Sequence, residues 1–371
     1  MKKSKADTTN TITRAIWLDQ QDFSKVHFVD QRYIPFKVNI LTSNNPTTTA
    51  AFIKDMVIRG APSIGGAAAY GMLQSAVLHN TITDTVLKKT KIQEDALMLV
   101  ESRPTAVDLK NVIIQMTAYI ESIIEIPKEK FIEKVRQKAE EIVTSIIAEC
   151  QLLADTGYSL LKDNMNIVHH CNTGPLATID IGSALGVIIQ AHKKGKKIHV
   201  FVDETRPRLQ GGRLTTWELE KESVPHTLIV DTVSATLMKQ KKVDLILVGA
   251  DRIARNGDFA NKIGTYNLAV LAKYHKVPMY TVAPWSTFDL TMEKGEDIVI
   301  EERPDKEVTH VFTEELVLKQ ISTQSKVFNP AFDITPNELL TGIIAPGIIL
   351  KPPFEKTIPE ALKHVKKRDA I

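Results

Sequence analysis

The stretch that decides the fold is residues 243–266, VDLILVGADRIARNGDFANKIGTY. Its apolar run at 243–248, interrupted only by Asp244, predicts a strand buried on both faces, as in a parallel sheet. The strand ends at Gly249 and Ala250, and Asp251 comes next. Ligands of open α/β sheets bind outside the carboxyl ends of the strands, so this carboxylate is well placed to meet a substrate.

After Asp251 the sequence predicts a polar loop and then a helix from about residue 263, with Asn261 and Lys262 near its start. A lysine together with free backbone N–H groups at a helix start suits a phosphate. Each residue also has a plainer interpretation. An Asp after a strand is often a turn or capping residue, and a single Lys at a helix start is usually solvated. The functional interpretation therefore depends on partners elsewhere in the chain.

Composition excludes several classes of protein. The chain has 371 residues with a net charge of +3, and it lacks the clustered basic excess of a nucleic-acid binder. Two cysteines argue against a disulfide framework, and their spacing and that of the histidines predict no metal site. We find no signal peptide and no apolar run of membrane-spanning length, so we expect a cytoplasmic protein that does not enter a membrane.

The pattern along the chain predicts an α/β protein with two domains. Residues 1–12 are predicted to be a disordered leader. The domain 1–140 reads as mainly helical with short early strands, and 141–371 as strands alternating with helices. A long amphipathic helix or helix pair is expected at 129–166, with a break at 155–157. Such alternation predicts a parallel sheet covered by helices, and the absence of GxGxxG argues against a dinucleotide site.

Polar residues follow several predicted strands and should meet at one edge of the sheet. Cys171 follows one strand, Gln210 lies in the loop after the next, and Asp251 follows a third. Arg59 and Arg103, from the helical part, carry charge suited to a phosphate. Most cysteines are small buried hydrophobes, but the position of Cys171 in a polar loop favours a functional role. The adjacent pair His169 and His170 would point to opposite faces of a strand, which favours packing or loop hydrogen bonds over joint metal binding.

Taken together, the motifs resemble one family. They are RGAPSIGGAAAYG (59–71), SRPTAVDL (102–109), HCNTGPLAT (170–178), ETRPRLQGGRLTTWEL (204–219), GADRIARNGDFANKIGTY (249–266), APWSTFD (283–289), IEERP (300–304) and NPAFDITP (329–336). Their order and content resemble the methylthioribose-1-phosphate isomerases, over about residues 14–350. The wider superfamily includes ribose-1,5-bisphosphate isomerases, 5-deoxyribose-1-phosphate isomerases and regulatory subunits of initiation factor 2B.

The resemblance implies a Rossmann-like carboxyl-terminal domain, a smaller helical amino-terminal domain, and a homodimer. It implies an aldose–ketose isomerase of methionine salvage that acts on 5-methylthioribose 1-phosphate without a cofactor. Carried over by motif, Asp251 is the catalytic acid/base and Cys171 assists the transition state. The substrate-binding positions implied are Arg59, Gly60, Ala61, Arg103, Gln210, Asn261 and Lys262.

Local departures from the family pattern leave the group at C5 of the sugar open. Pro175 stands where a small residue is usual, residues 179–183 differ, and Ser63 and Gly66 are local variants. The alternatives are a 5-deoxyribose-1-phosphate isomerase, or a non-catalytic factor 2B-like subunit that binds a nucleotide or sugar phosphate. Retention of both Cys171 and Asp251 argues against the non-catalytic alternative. Proton transfer and hydride shift are both compatible with these residues.

Overall fold

The computed structural model describes residues 14–368, apart from 105, 313–316, 320 and 322–323, so the predicted leader lies outside the described residues. The chain forms two units. One ends at Ala148 and also contains Pro175–Ile181, and the other holds Glu149–Gly174 and the residues from Gly182 onward. Within the described part of the chain, none of the helices has both the length and the apolar character needed to cross a membrane.

The first unit has a small antiparallel sheet and several helices, as predicted for the start of the chain. The sheet consists of β1 (Ile16–Leu18), β2 (Val26–Val29) and β3 (Ile40–Ser43), in that order. The helices that begin in this unit are α1 (Pro46–Lys54), α2 (Ala61–Leu78), α3 (Thr85–Ser102), α4 (Val107–Ser122), α5 (Lys128–Tyr158) and the short α6 (Pro175–Thr178).

The small-residue segment that follows Gly60 is the helix α2. Its residues from Ser63 to Ala76 are buried, because small side chains let neighbouring backbones approach closely. At Gly71 an added Cβ would lie 3.1 Å from Leu99, a residue of α3. The helices of this unit therefore pack around α2.

The second unit is built on strands that alternate with helices. Its strands are β4 (Asn166–His169), β5 (His199–Asp203), β6 (His226–Ile229), β7 (Leu245–Val248), β8 (Arg252–Ala254), β9 (Phe259–Lys262), β10 (Met279–Val282), β11 (Phe288–Asp289), β12 (His310–Phe312), β13 (Val317–Lys319), β14 (Phe332–Thr335), β15 (Gly342–Ala345) and β16 (Ile348–Leu350). Its further helices are α7 (Ala184–Lys193), α8 (Thr216–Lys221), α9 (Val233–Lys239), α10 (Thr265–His275), α11 (Lys306–Thr309) and α12 (Phe354–Arg368).

The main sheet has seven strands in the order β16-β15-β10-β7-β4-β5-β6. All neighbours pair in parallel except β15 and β16, which are antiparallel. The fold-deciding strand β7 lies at the centre, and all four of its residues are buried. The prediction of a doubly covered parallel strand is confirmed, and so is the α/β fold class. Burial of each such side chain stabilises the fold by about 1.5–3 kcal/mol.

The carboxyl-terminal segment returns to the sheet. β15 adds in parallel next to β10, and Phe354 and Ile358 of α12 are fully buried in the same hydrophobic cluster as Ile246 and Val248 of β7. The tail therefore covers one face of the sheet.

Two local predictions were wrong. The region after Asp251 is not a plain loop but the antiparallel pair β8–β9, which belongs to a second sheet ordered β11-β8-β9-β14. Helix α5 continues through 155–157 and ends at Tyr158, so this helix does not extend to residue 166, where β4 begins. Gly157 lies within it because an added Cβ would come within 2.5 Å of Val187, so the glycine permits close packing on α7 and does not end the helix.

Candidate active site

The loops that follow β4, β5, β7 and β10 leave the main sheet at its carboxyl edge, because these strands are parallel. Cys171 follows β4 and Asp251 follows β7, and these two strands are direct neighbours. The register pairs His169 with Leu247, so Cys171 and Gly249 continue at the same level. An added Cβ on Gly249 would lie 2.7 Å from Thr173 Cγ2, so the two loops are in contact. The thiol and the acid therefore leave adjacent strands at the same edge.

Cys171 is held in an unusual backbone conformation. Its φ is +69°, in the left-handed region, which costs a non-glycine residue about 1–3 kcal/mol unless the surroundings fix it. Its N–H donates to Thr205 Oγ1 at 2.8 Å, and its carbonyl accepts from Thr215 Oγ1 at 2.7 Å. The residue is 8% exposed, whereas both threonines are fully buried. The side chain of Cys171 is thus presented from a tightly held main chain.

His170 forms a buried ion pair beside this loop. Its Nδ1 lies 3.0 Å from Asp203 Oδ2, and its Nε2 lies 2.9 Å from the carbonyl of Ile263. Burial acts to lower the pKa of His170, but the hydrogen bond and the charge of Asp203 outweigh it and raise the pKa above the usual value. These contacts fit a protonated imidazole ring that donates one hydrogen bond from Nδ1 and one from Nε2. The predicted role of loop hydrogen bonding for the histidines is confirmed.

Asp231 lies close enough to His170 and Asp203 for one ligand atom of each to be within 4.8 Å of the others, which would in principle suit a metal ion. The carboxylate of Asp231 already accepts the N–H groups of Thr205 at 2.7 Å and Arg206 at 2.9 Å. Both ring nitrogens of His170 are engaged as well. These residues fit a hydrogen-bonded support for the loop after β5 better than they fit a metal centre.

His169 points in the opposite direction and joins the two central strands. Its Nδ1 donates to the carbonyl of Leu247 at 2.8 Å. Complete burial lowers its pKa to about 4, so the ring is neutral at ordinary pH. A role in packing, as the sequence indicated, accounts for it.

Asp251 is partly buried at the start of the β8–β9 pair. Its N–H donates to the carbonyl of Ala260 at 2.8 Å, which fixes the start of this pair against its end. Asn261 on β9 is 4% exposed, and its amide donates to Thr265 Oγ1 at 2.9 Å. The Nζ of Lys262 donates to the carbonyl of Ala331 at 2.6 Å and lies 4.5 Å from the Phe332 ring centroid.

The prediction of free N–H groups at the start of α10 was wrong. Lys262 is the last residue of β9, and the helix begins at Thr265. The carboxylate of Asp333 accepts the N–H of Gly264 at 2.7 Å and that of Tyr266 at 3.1 Å. A carboxylate from a distant part of the chain therefore occupies the position where sequence alone placed a phosphate.

Gln210 lies in the loop after β5 and is 6% exposed. Its Oε1 is buried and has no hydrogen-bond partner among the described residues. The next position requires glycine, because a Cβ on Gly211 would lie 1.8 Å from the carbonyl oxygen of Asp203. Two arginines of this motif bind elsewhere: Arg206 donates to the carbonyl of Val308, and Arg208 pairs with Glu307.

Four of the predicted substrate positions lie in the first unit. Gly60, at φ +89°, precedes α2, and an added Cβ would lie 2.4 Å from the carbonyl of Ala177. Within the described residues no side chain caps this helix start, so Ala61 stands at an 18-residue helix N-terminus suited to an anion. Arg59 precedes it, and Arg103 ends α3.

Three of the departures from the family pattern, Ser63, Gly66 and Ile179, contact one another in the first unit. The hydroxyl of Ser63 donates to the carbonyl of Leu176 at 3.2 Å and accepts the N–H of Ile179 at 2.8 Å. An added Cβ on Gly66 would lie 2.7 Å from the Cδ1 of Ile179. Ser63, Gly66 and Ile179 therefore form one matched set.

Sequence reasoning missed the residues that support Cys171. Thr205 and Thr215 lie in the motif at 204–219, but nothing in that motif indicates that their hydroxyls bind the Cys171 main chain. Asp203 is the last residue of β5 and Asp231 follows β6, so their position at strand ends was an available signal for this edge. Asp333 could not be found in this way because it lies far from α10 in the sequence.

Comparison with known proteins assigns the family. The sequence profile of the initiation factor 2 subunit family matches residues 57–350. The methylthioribose-1-phosphate isomerase 2 of Pseudothermotoga lettingae is 47% identical over 90% of this chain and 94% of its own length.

Two solved structures are similar over nearly the whole chain. The 5-methylthioribose 1-phosphate isomerase of Pyrococcus horikoshii has a TM-score of 0.86 at 35% identity, and covers 95% of this chain and 96% of that one. A structure described as translation initiation factor eIF-2B, subunit delta, from A. fulgidus has a TM-score of 0.83 at 36% identity, and covers 95% and 100%. Both solved structures, one described as an isomerase and the other as an initiation factor subunit, are thus similar to this fold. The relative at 47% identity is named as an isomerase. The chain belongs to the methylthioribose-1-phosphate isomerases of the initiation factor 2 subunit family.

Proposed function

We propose that this protein converts 5-methylthioribose 1-phosphate to 5-methylthioribulose 1-phosphate, as an aldose–ketose isomerase of methionine salvage. The observation that carries the proposal is the position of Cys171 and Asp251, which follow neighbouring parallel strands at the carboxyl edge. Sequence relatives that bear this enzyme's name span 90% of the chain and support the choice of substrate.

The substrate explains the need for an acid. Phosphate on the anomeric carbon blocks ordinary ring opening to a free aldehyde. In our proposal the Asp251 carboxyl group protonates the ring oxygen as the C1–O bond breaks, and then, as a carboxylate, accepts the proton of the C2 hydroxyl. Hydrogen moves from C2 to C1 in between, either as a hydride or through an enediol-like species, with Cys171 beside the reacting carbons.

The remaining polar groups are proposed to hold the substrate. Arg59 and the helix start at Gly60 and Ala61 suit the phosphate dianion, and Arg103 and Lys262 add positive charge. Gln210, whose Oε1 lacks a protein donor among the described residues, and Asn261 suit the sugar hydroxyls. No cofactor or metal is required by this assignment.

The test is turnover of the synthetic sugar phosphate by the purified protein, followed by NMR. We expect the signal of the anomeric proton to be replaced by the signals of the two C1 methylene protons of the ketose. We also expect kcat/KM to be at least about tenfold higher for the methylthio sugar than for the 5-deoxy sugar. Turnover of the 5-deoxy sugar alone would change the substrate, and turnover of neither would favour a non-catalytic subunit. Deuterium from D2O at C1 of the product would indicate proton transfer, and its absence would indicate hydride shift.

We also infer that the protein acts as a homodimer in the cytoplasm. Helix α10 exposes the apolar side chains Tyr266, Val270 and Tyr274 along one face, a pattern that supports contact with a second copy. Sedimentation equilibrium should give twice the chain mass, and Tyr274→Glu should weaken the association. A monomer at micromolar concentration would contradict the dimer.

A further inference from the structure

Two threonine hydroxyl groups hold the main chain of Cys171, one at its N–H and one at its carbonyl. Both hydroxyls donate their protons within the protein, so neither can donate to a substrate at the same time. Thr205 Oγ1 accepts the N–H of Cys171 at 2.8 Å and donates its own proton to the carbonyl of Asp203 at 3.0 Å. Thr215 Oγ1 donates to the carbonyl of Cys171 at 2.7 Å and accepts from the amide of Asn172 at 3.1 Å. A hydroxyl has one proton to donate, so both donors are used within the protein.

Each threonine is supported by a carboxylate. The N–H of Thr205, itself at φ +64°, donates to Asp231 Oδ1 at 2.7 Å. On the other side, the amide of Asn172 that reaches Thr215 also donates to Glu218 Oε2 at 2.5 Å. An added Cβ on Gly174 would overlap the Glu218 carboxylate at 2.2 Å, so the loop after β4 is shaped around this buried acid. Two separate segments therefore bind the main chain of Cys171. We call them the Thr205 arm, from the loop after β5, and the Thr215 arm, from the turn that leads into α8.

We propose that Thr205 and Thr215 are positioning residues for Cys171. Together they hold its backbone in the left-handed conformation and so aim the thiol out of the sheet edge. They act through Cys171 and do not contact the sugar. This inference rests on the proposed function for its kinetic consequence, but the restraint on Cys171 itself does not depend on the identity of the substrate.

The experiment replaces each hydroxyl by a methyl group of similar size, with Thr205→Val and Thr215→Val, and restores it with Thr205→Ser and Thr215→Ser. Two readouts are measured: turnover of methylthioribose 1-phosphate, and the rate at which iodoacetamide alkylates Cys171, resolved by peptide mass spectrometry with buried Cys150 as internal reference. The Val variants should lower kcat by about 10- to 100-fold with less than about a threefold change in KM. Alkylation of Cys171 should be about fivefold faster, because a released loop exposes the thiol.

The serine variants should recover both readouts to within about twofold of the original protein, because the hydroxyl is the group that matters. The kcat of the double variant Thr205→Val/Thr215→Val should be at most about threefold below the kcat of the less active single variant, because both threonines act on one residue.

The matched control is Thr49→Val in the first unit. Thr49 is fully buried, and its hydroxyl is engaged with Ser43 and Gln74, so its loss should lower the melting temperature as the other Val substitutions do. It should leave kcat and the alkylation of Cys171 unchanged. If a Val variant does not fold, Glu218→Gln tests the Thr215 arm with a milder change, and should shift both readouts in the same direction.

Wild-type kcat and alkylation rates in both Val variants would overturn the proposal, and so would serine variants as impaired as the Val variants. An equal loss of kcat in Thr49→Val would also overturn it, because a general loss of stability would then be sufficient. If the original protein turns over no sugar, the proposed function fails, while the alkylation rates still decide whether the two threonines restrain Cys171.

Discussion

The two edges of the main sheet are formed by the same strands, yet they hold their polar groups differently. At the carboxyl edge His170, Asn172 and Asp203 are at most 3% exposed, and each is hydrogen-bonded within a network. At the amino edge a cavity of ≈ 460 Å³ is lined by residues that include the exposed Asn164 and Lys197. Buried polar groups cost free energy unless something is gained from them, so they mark a site more reliably than concavity does.

The largest expected difference between the edges concerns two acids at opposite ends of β7. Asp251→Asn should lower kcat about 1000-fold, equivalent to roughly 4 kcal/mol, because an amide cannot give or take the proton. Asp244→Asn, at the exposed amino end where the carboxylate accepts the N–H of Asn166, should change kcat less than about twofold. Steady-state kinetics and a melting curve for each variant make the comparison. Near-normal turnover in Asp251→Asn would remove its assigned role.

The two cysteines should differ next. Cys171→Ser is expected to slow turnover about 100-fold with a smaller effect on KM, because a hydroxyl is a weaker acid and nucleophile than a thiol. Cys150→Ser, at a fully buried position of α5, should cost about 1–3 kcal/mol of stability and leave kcat unchanged. Kinetics and urea unfolding of both variants separate the two effects. Unchanged turnover in Cys171→Ser would exclude this thiol from the site.

The pH dependence of folding stability is compared at two histidines, His169 at the carboxyl edge and His199 at the amino edge. His169 is neutral when folded, with a pKa of about 4, whereas the unfolded chain binds a proton near pH 6.5. Stability is therefore fully present above pH 6.5 and falls as the pH drops towards 4. Between pH 7.5 and pH 5 this one group accounts for a loss of roughly 2 kcal/mol.

Urea unfolding at both pH values checks this expectation. His169→Asn retains a donor to the carbonyl of Leu247 and should lack this part of the pH dependence. The matched control is His199→Asn at the amino edge, where the partly exposed histidine also has its pKa lowered by burial. This variant should retain the part of the pH dependence that comes from His169. The same pH slope in the original protein and in His169→Asn would contradict the assignment.

The smallest expected effect compares two buried oxygen atoms that have no hydrogen-bond partner in the described structure. Gln210→Leu should raise KM about tenfold, roughly 1.4 kcal/mol, because the sugar loses a partner, and should not lower stability. Thr335→Val on β14 should raise stability slightly and leave KM unchanged. Michaelis constants and melting temperatures are measured for both. An unchanged KM in Gln210→Leu would mean that no ligand group binds its Oε1.

Sequence reasoning succeeded where a pattern is local. The apolar run of β7, the alternation of strands and helices and the motif residues at strand ends follow from periodicity and from parallel topology. It failed where distant segments meet. The carboxylate of Asp333 at the start of α10 and the glycine packing of α5 on α7 depend on contacts that no local pattern carries.

By itself the sequence determined the α/β class and the edge of the sheet to which polar residues at strand ends, such as Cys171 and Asp251, are directed. Hydrophobic periodicity and strand direction suffice for these. Only the tertiary structure decided how Cys171 is held, which carboxylates support its loop, and that the start of α10 is already capped. Hydrogen bonds between residues far apart in sequence form only once the strands are in register, so they leave no pattern in the chain that encodes them.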